Sequence, residues 1–164
     1  MAFEFYVSVK GKKQGQFKGE TKAPGGRAKD RFRGVAYVSE VISPRDAASG
    51  LPTGKRQHRP IVITKEWGAA SPQLFQALVT NEVLTAVVLE FVKTDPAGRE
   101  VVYYRVTLTN AAVSDLRSYL DLTEVDGDPY DGRALEDVSF TFAKIELENL
   151  EAKTSAVDDW SSPA

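Results

Sequence analysis

A change of strand register near the end of the sequence limits the folds that this chain can adopt. The segment "EDVSFTFAKIELENLE" places apolar side chains at even positions, Val138, Phe140 and Phe142, and then at the odd positions Ala143, Ile145 and Leu147. Successive side chains of a strand point to opposite faces, so both sets cannot share one face without an irregularity. The pattern predicts a bulge, or a strand that passes from one sheet to a second, as in a closed or two-sheet β structure.

Other segments also have the period of strands. Phe3, Phe5, Val7 and Val9 alternate with polar residues, and "TAVVLEFVKTDPAGREVVYYRVTLTN" predicts a hairpin whose tight turn lies at residues 95–98. "RGVAYVSEVIS" is apolar at both parities and predicts a strand that is covered on both faces. "AAVSDLRSYLDL" is compatible with an extended or a helical form.

A single segment, "ASPQLFQALVTNEVL", predicts a helix. Ser71 is expected to cap it and Pro72 suits its first turn. Its apolar stripe is expected to pack in the core and consists of Leu74, Phe75, Leu78 and Val79. The predicted fold is mainly β: a β-barrel of two antiparallel sheets with one α-helix packed against it, plus a long extended loop. We expect one domain over residues 1–164, with residues 152–164 forming a frayed acidic tail.

Composition excludes several classes of function. The chain has no cysteine, which rules out disulfides, thiolate metal sites and thiol nucleophiles, and its single histidine makes most zinc sites and acid–base enzymes improbable. The beginning, "MAFEFYVSVKGKKQ", reads as a strand and not as a signal peptide, and no segment is long and apolar enough to insert in a membrane. The sequence therefore predicts synthesis and folding in the cytoplasm.

Charge is distributed unevenly along the chain. Residues 1–65 contain 14 Lys/Arg and 5 Asp/Glu, a balance of +9, whereas residues 66–164 contain 7 and 18, a balance of −11. The basic part has no aromatic stacking pattern, recognition helix or zinc frame, which disfavours nucleic acid as a partner. The other interpretation is a protomer whose opposite surfaces attract one another.

The long loop at residues 43–59 resembles a phosphate-binding loop only superficially. In "SGLPTGKRQHRPIVITKE", three residues separate Gly50 from Gly54, where such a loop has four, and Arg56 follows Lys55 in place of Ser or Thr. The apolar segment after it reads as a strand and not as the helix that phosphate binding needs. A loop of this length in a compact domain is usually functional or disordered.

Two other candidate sites fail on their chemistry. "EVDGDPYDG" clusters three aspartates, but the ligand spacing of a calcium loop is absent and an acidic surface turn is the better interpretation. His58 stands beside Arg56 and Arg59, which disfavour its protonation, so we interpret it as a contact residue and not as a base. The sequence predicts no enzyme, no cofactor and no metal site.

Four stretches of the sequence carry a resemblance to a known family: "SPRDAASGLPTGKRQHRPIVITKEWGAASPQLFQALVTNE", "YYRVTLTNAAVSDLRSY", "EDVSFTFAKIE" and the terminal "DDW". Together they resemble the Hcp (haemolysin-coregulated) proteins, the tube proteins of bacterial type VI secretion systems. The similarity covers residues 35–160, and "GKRQHRP…ITKE…SPQLFQAL" is its most specific part. Residues 10–33 depart from the commoner family pattern.

The resemblance implies hexameric rings of β-barrel protomers that stack into a hollow tube. It implies three partners besides the chain itself: a spike protein at the tip, a contractile sheath, and small effectors in the lumen. The protein would leave the bacterial cytoplasm without a signal peptide and reach a target cell. In this family the long loop contacts a neighbouring protomer or ring, so the expected contact residues are Pro44, Arg45, Asp46, Lys55, Arg56, Gln57 and His58.

Two alternatives remain open at this point. One is a related tail-tube protein of a phage-like or extracellular contractile injection particle. The other is a monomeric carrier or chaperone for exported effectors.

Overall fold

A computed structural model describes residues 3–19, 30–120 and 134–160. The strands, in chain order, are β1 Phe3–Gly11, β2 Gly15–Gln16, β3 Phe32–Gly34, β4 Ala36–Val38, β5 Val41–Ile42, β6 Gln57–His58, β7 Ile61–Glu66, β8 Leu84–Thr94, β9 Glu100–Leu120, β10 Ala134–Asn149 and β11 Thr154–Asp159. Within these residues the one α-helix is α1, Ala70–Val79. None of the described helical structure has the length and hydropathy needed to cross a membrane.

Nine strands form one antiparallel sheet in the order β2-β1-β8-β9-β10-β7-β4, with β3 also paired to β1 and β11 also paired to β10. β5 and β6 form a separate two-stranded sheet. The predicted hairpin is confirmed: β8 and β9 pair antiparallel, and the side chain of Asp95 accepts hydrogen bonds from the backbone N–H groups of Ala97 and Arg99 in the turn. The mainly β fold with two antiparallel sheets, one helix and a long extended loop is confirmed.

The sheet curls, but no continuous ladder of paired strands closes it. Its two sides are connected only by one short stretch of chain, which pairs first with one side and then with the other. β3 pairs with β1, the N–H of Val35 donates to the carbonyl of Thr64 at 2.7 Å, and β4 pairs with β7. The predicted strand covered on both faces is therefore wrong. The stretch changes hydrogen-bonding partner at Val35, and Val35, Val38 and Val41 remain exposed.

The register change of β10 coincides with a change of its pairing partner. Along one edge, β10 pairs first with β7 and then with β11, while β9 follows the other edge throughout. The ladder with β9 also shifts between Ser139 and Phe140, where Ser114 of β9 is unmatched, but Phe140 and Phe142 keep the parity of Val138 across this shift. Val138, Phe140 and Phe142 are buried and the next buried residue is Ile145, so the predicted irregularity is present. The undecided segment 111–122 is extended as far as Leu120, and its last two residues lie outside the described residues.

The helix lies where the sequence predicts, but its capping and its buried face differ. Its N-cap is Ala69, without a side-chain cap, and it ends at Val79, before Asn81 adopts a positive φ of 53°. Leu74 is buried, but Phe75 and Val79 are 57% and 51% exposed, so the predicted stripe is wrong for these two residues. Its fully buried residues are Ala70, Leu74 and Ala77, with Leu78 packed against the core from its edge. Alanines bring the helix close to the sheet, which leaves the larger side chains on the outer side.

A buried ion pair joins the helix to two strands. Nζ of Lys65 on β7 lies 2.7 Å from Oε1 of Glu136 on β10, and their side chains are 0% and 2% exposed. The hydroxyl of Ser71, which was predicted to cap the helix, donates to the same Glu136 oxygen at 2.6 Å. Lys65 also lies 5.1 Å from the ring centroid of Phe32 on β3. The cluster therefore ties α1, β7, β10 and the joining stretch together.

The predicted fraying of residues 152–164 is wrong for residues 154–159. These residues form β11, which pairs with β10 from Lys144↔Asp159 to Asn149↔Thr154. The cause is the register change, because β7 ends as a neighbour of β10 at Phe140 and leaves the rest of that edge open to a further strand. Residues 161–164 of the predicted tail, and the aspartate cluster of "EVDGDPYDG", lie outside the described residues.

Candidate assembly interface

Residues 40–59 form an extended ribbon, which we call the arm. Its base is closed by β5 and β6, paired as Val41↔His58 and Ile42↔Gln57, and by the N–H of Arg59, which donates to the carbonyl of Glu40. Further out, Arg45 and Pro52 form an isolated bridge. The arm is therefore a two-stranded structure along much of its length, and not a disordered loop.

The tip of the arm is an aspartate turn. The carboxylate of Asp46 accepts hydrogen bonds from the hydroxyl and the N–H of Ser49 at 2.6 and 2.9 Å. These bonds, the hydroxyl bond first, lower the pKa of the Asp46 carboxyl. Gly50 has a φ of 72°, a conformation that residues with a Cβ rarely adopt. The tip thus has a defined shape before any partner binds.

The outer part of the arm exposes charge and apolar surface side by side. Arg45, Asp46 and Lys55 are exposed, and Pro44 is half-buried. Leu51 and Val41, both on the arm, are 65% and 56% exposed. A ribbon that exposes apolar side chains in this way is stabilised when they are buried against another surface.

The returning strand of the arm is bonded to the end of its own chain. Nε of Arg56 donates to Oδ2 of Asp158 at 2.6 Å, and Nη2 of Arg56 donates to the Asp159 carbonyl at 3.3 Å. Nε2 of His58 lies 2.7 Å from the same Asp158 oxygen, and an ionised carboxylate can only accept, so this nitrogen carries a proton. The bond from Arg56, and then that from His58, lowers the pKa of the Asp158 carboxyl from 3.8 to about 2.

An aromatic cluster surrounds this ion pair. The His58 ring lies edge-on to Phe142 and Trp160, with centroids 5.3 and 5.2 Å apart. The indole Nε1 of Trp160 donates to the Phe142 carbonyl, and the Trp160 N–H donates to that of Ala143. Only 9% of the His58 side chain is exposed. We call Asp158 and Trp160 the latch.

The seven predicted contact residues therefore divide into two groups. Pro44, Arg45 and Asp46 lie on the outer arm, and Lys55 and Gln57 are exposed on its returning strand. The structure brings Arg56 and His58 instead to the latch of the same chain. The sequence patterns did not predict Asp158 and Trp160 as partners of the arm, although the terminal "DDW" was among the stretches that carried the resemblance.

Among residues 3–19, 30–120 and 134–160, no three His, Asp or Glu side chains are grouped to hold a metal ion. His58, the candidate base, is held in the latch contact and is almost covered. The arm exposes Leu51 and Val41 beside charged side chains, which suits a contact with a partner.

Comparison with known proteins gives a consistent answer. The profile of the family described as "Type VI secretion system effector, Hcp" matches residues 6–148. A protein named "Major exported protein" from Pseudomonas aeruginosa is 38% identical, with 99% of this chain and 98% of that protein covered. Among solved structures, the secreted protein Hcp3 from Pseudomonas aeruginosa is 33% identical, covers 98% of this chain and 100% of its own, and superposes with a TM-score of 0.76.

A second solved structure, of an Hcp protein, has a TM-score of 0.89 at 24% identity and covers 99% of this chain and 100% of its own, which shows the shared fold. The family match covers most of the chain, and the relatives are matched over nearly their whole length. The chain therefore belongs to the Hcp family of type VI secretion proteins.

Proposed function

We propose that this protein is the structural subunit of the inner tube of a type VI secretion system. Protomers form hexameric rings, the rings stack into a hollow tube, and the tube is exported with small effector proteins in its lumen. A spike protein at the tip and a contractile sheath around the tube are the other partners. Family membership and the similarity to a protein named "Major exported protein" support this proposal.

The observation that carries the proposal is the arm. It holds a defined two-stranded shape, yet exposes Leu51, Val41 and the charges of Arg45 and Lys55. A monomeric carrier would leave this apolar and charged ribbon uncovered, whereas a ring or stack of identical protomers covers it by a heterologous contact. Each contact is modest, and repetition along a tube supplies the avidity.

Charge reversal on the outer arm tests the proposal. In Arg45→Glu and in the double variant with Lys55→Glu, ring stacking and secretion should fall while the circular dichroism spectrum stays unchanged. Lys12→Glu is the matched control, because Lys12 is an exposed lysine in the turn between β1 and β2. Normal assembly of the arm variants would contradict the role given to the arm, and unfolding would show that the loop belongs to the core.

A further inference from the structure

The base of the arm and the end of the chain form one connected unit. Arg56 and His58 lie next to and within β6, and both bond to Asp158 at the end of β11, 102 and 100 residues further along the chain. β11 is in turn fixed to β10 by six paired residues. The arm is thus connected through the latch to the main sheet.

A two-stranded ribbon cannot set its own direction. Isolated hairpins are marginal in water, and the two residue pairs of β5 and β6 give little stiffness at the point where the arm leaves the body. Contacts at the base must therefore determine where the tip points. The contacts with the required position and burial are those of His58 with Asp158, Phe142 and Trp160.

We infer that Asp158 and Trp160 are positioning residues for the arm: they fix its direction, and so its ability to meet a neighbouring protomer. Asp158 binds the two basic side chains of the returning strand. Trp160 covers the His58 ring, and is itself held by its bonds to the carbonyls of Phe142 and Ala143. The effect on assembly rests on the proposed function, whereas the effect on the direction of the arm does not.

The direction of the arm can be measured directly, because the chain has no cysteine of its own. Spin labels are attached after Ala47→Cys at the exposed tip and Ala97→Cys at the exposed β8–β9 turn. Labelled full-length chain is diluted in unlabelled protein, so that pulsed electron paramagnetic resonance reads distances within one protomer. The parent should give one narrow distance distribution.

If the latch fixes the direction of the arm, Trp160→Ala and Asp158→Asn should widen this distance distribution at least about twofold, because the base of the arm becomes a local hinge. Trp160→Phe keeps a ring against His58 and should restore most of the narrow distribution. Val157→Ala, on the same strand and exposed, and Asp115→Asn, an exposed aspartate elsewhere, are controls that should change nothing. Arg56→Gln should widen it less than Asp158→Asn, because it leaves the contact between His58 and Asp158 in place. Combining the two changes should widen it little beyond Asp158→Asn alone, because the bond between Arg56 and Asp158 is common to both.

The outcomes separate the two claims. A distribution that stays narrow in the folded Trp160→Ala and Asp158→Asn variants overturns the latch, whatever happens to assembly. A wider distribution with loss of stacking supports both the latch and the use of the arm. A wider distribution with normal stacking supports the latch but contradicts the proposal that the arm makes the contacts between protomers. If Trp160→Ala fails to fold, Asp158→Asn and Trp160→Phe carry the test.

Discussion

Lys65 and Glu136 form an ion pair with an Nζ–Oε1 distance of 2.7 Å inside the protein, on neighbouring strands and 71 residues apart in the chain. Removing two charges from water is costly, and the attraction offsets that cost only when the remaining polar atoms are satisfied. Here Ser71 supplies a further bond to Glu136, and the Glu66 carbonyl accepts from Lys65 at 2.7 Å. The pair connects β7, β10 and the start of α1.

Removing one partner of this ion pair should lower the stability of the protein far more than replacing both. We expect Lys65→Met to lower the free energy of unfolding by about 3–5 kcal/mol, because Glu136 is left buried without its cation. The double variant Lys65→Met/Glu136→Leu should lose much less than the sum of the single variants. Urea unfolding at a fixed protein concentration measures this, and additive losses would contradict a coupled buried pair.

Close packing at Gly34 gives a second test of the fold. A Cβ built at this position would lie 2.0 Å from the ring of Phe5, which stacks on Phe91 with centroids 5.1 Å apart. Gly34→Ala should therefore cost about 1–3 kcal/mol through displacement of these rings. Gly54→Ala is the control, since its nearest atom, on Pro44, is 4.0 Å away, and it should stay within about 0.5 kcal/mol of the parent. Equal stability of the two variants would show that β3 does not lie against Phe5.

The latch should open in acid. The pKa of Asp158 is lowered from 3.8 to about 2, so its contribution is present above pH 3.8 and is lost as the pH falls towards 2. The ion pair of Arg56 and Asp158 is partly exposed, so solvent screens it and reduces its contribution to stability. Between these pH values, the backbone amides of residues 56–58 in the parent protein should lose protection from hydrogen exchange. In Asp158→Asn these amides should have little protection, relative to their intrinsic exchange rate, at every pH. A loss of protection in acid equal to that of the parent would contradict the assignment of the effect to Asp158.

Stacking through exposed charges of the arm should depend on salt. Such charges are screened beyond about 8 Å at physiological ionic strength. We expect isolated rings at high salt, and stacks at low salt and high protein concentration, as measured by sedimentation. Stacking that is indifferent to salt would mean that apolar surface such as Leu51 and Val41, or backbone contacts, carry it instead.

Local sequence patterns predicted where the strands, turn and helix lie better than they predicted which side chains are buried. The turn after β8 follows from its own residues, because Asp95 and Gly98 supply the side-chain acceptor and the positive φ of 80° that it needs. The exposure of Phe75 and Val79 could not be predicted, because two alanines decide which side of the helix approaches the sheet. The position of Lys65 was open to prediction, since it continues the inward parity of Ile61 and Ile63.

The candidate site was predictable only in part. The long loop and its basic residues are visible in the sequence, and its exposed outer part agrees with a contact role that remains a proposal. The attachment of His58 to Asp158 spans 100 residues and depends on β11 filling the edge that β7 leaves open on β10. No local period encodes that geometry, so the same residues that look like free basic contacts turn out to hold the arm.

Assembly into rings is tested by the mass of the purified full-length protein, measured by light scattering after gel filtration, with negative-stain images of the same peak. We predict the mass of six chains and rings with an open centre, which lengthen into tubes when the salt is lowered. The mass of a single chain at every salt and protein concentration, with no rings in the images, would contradict the proposed role as a tube subunit.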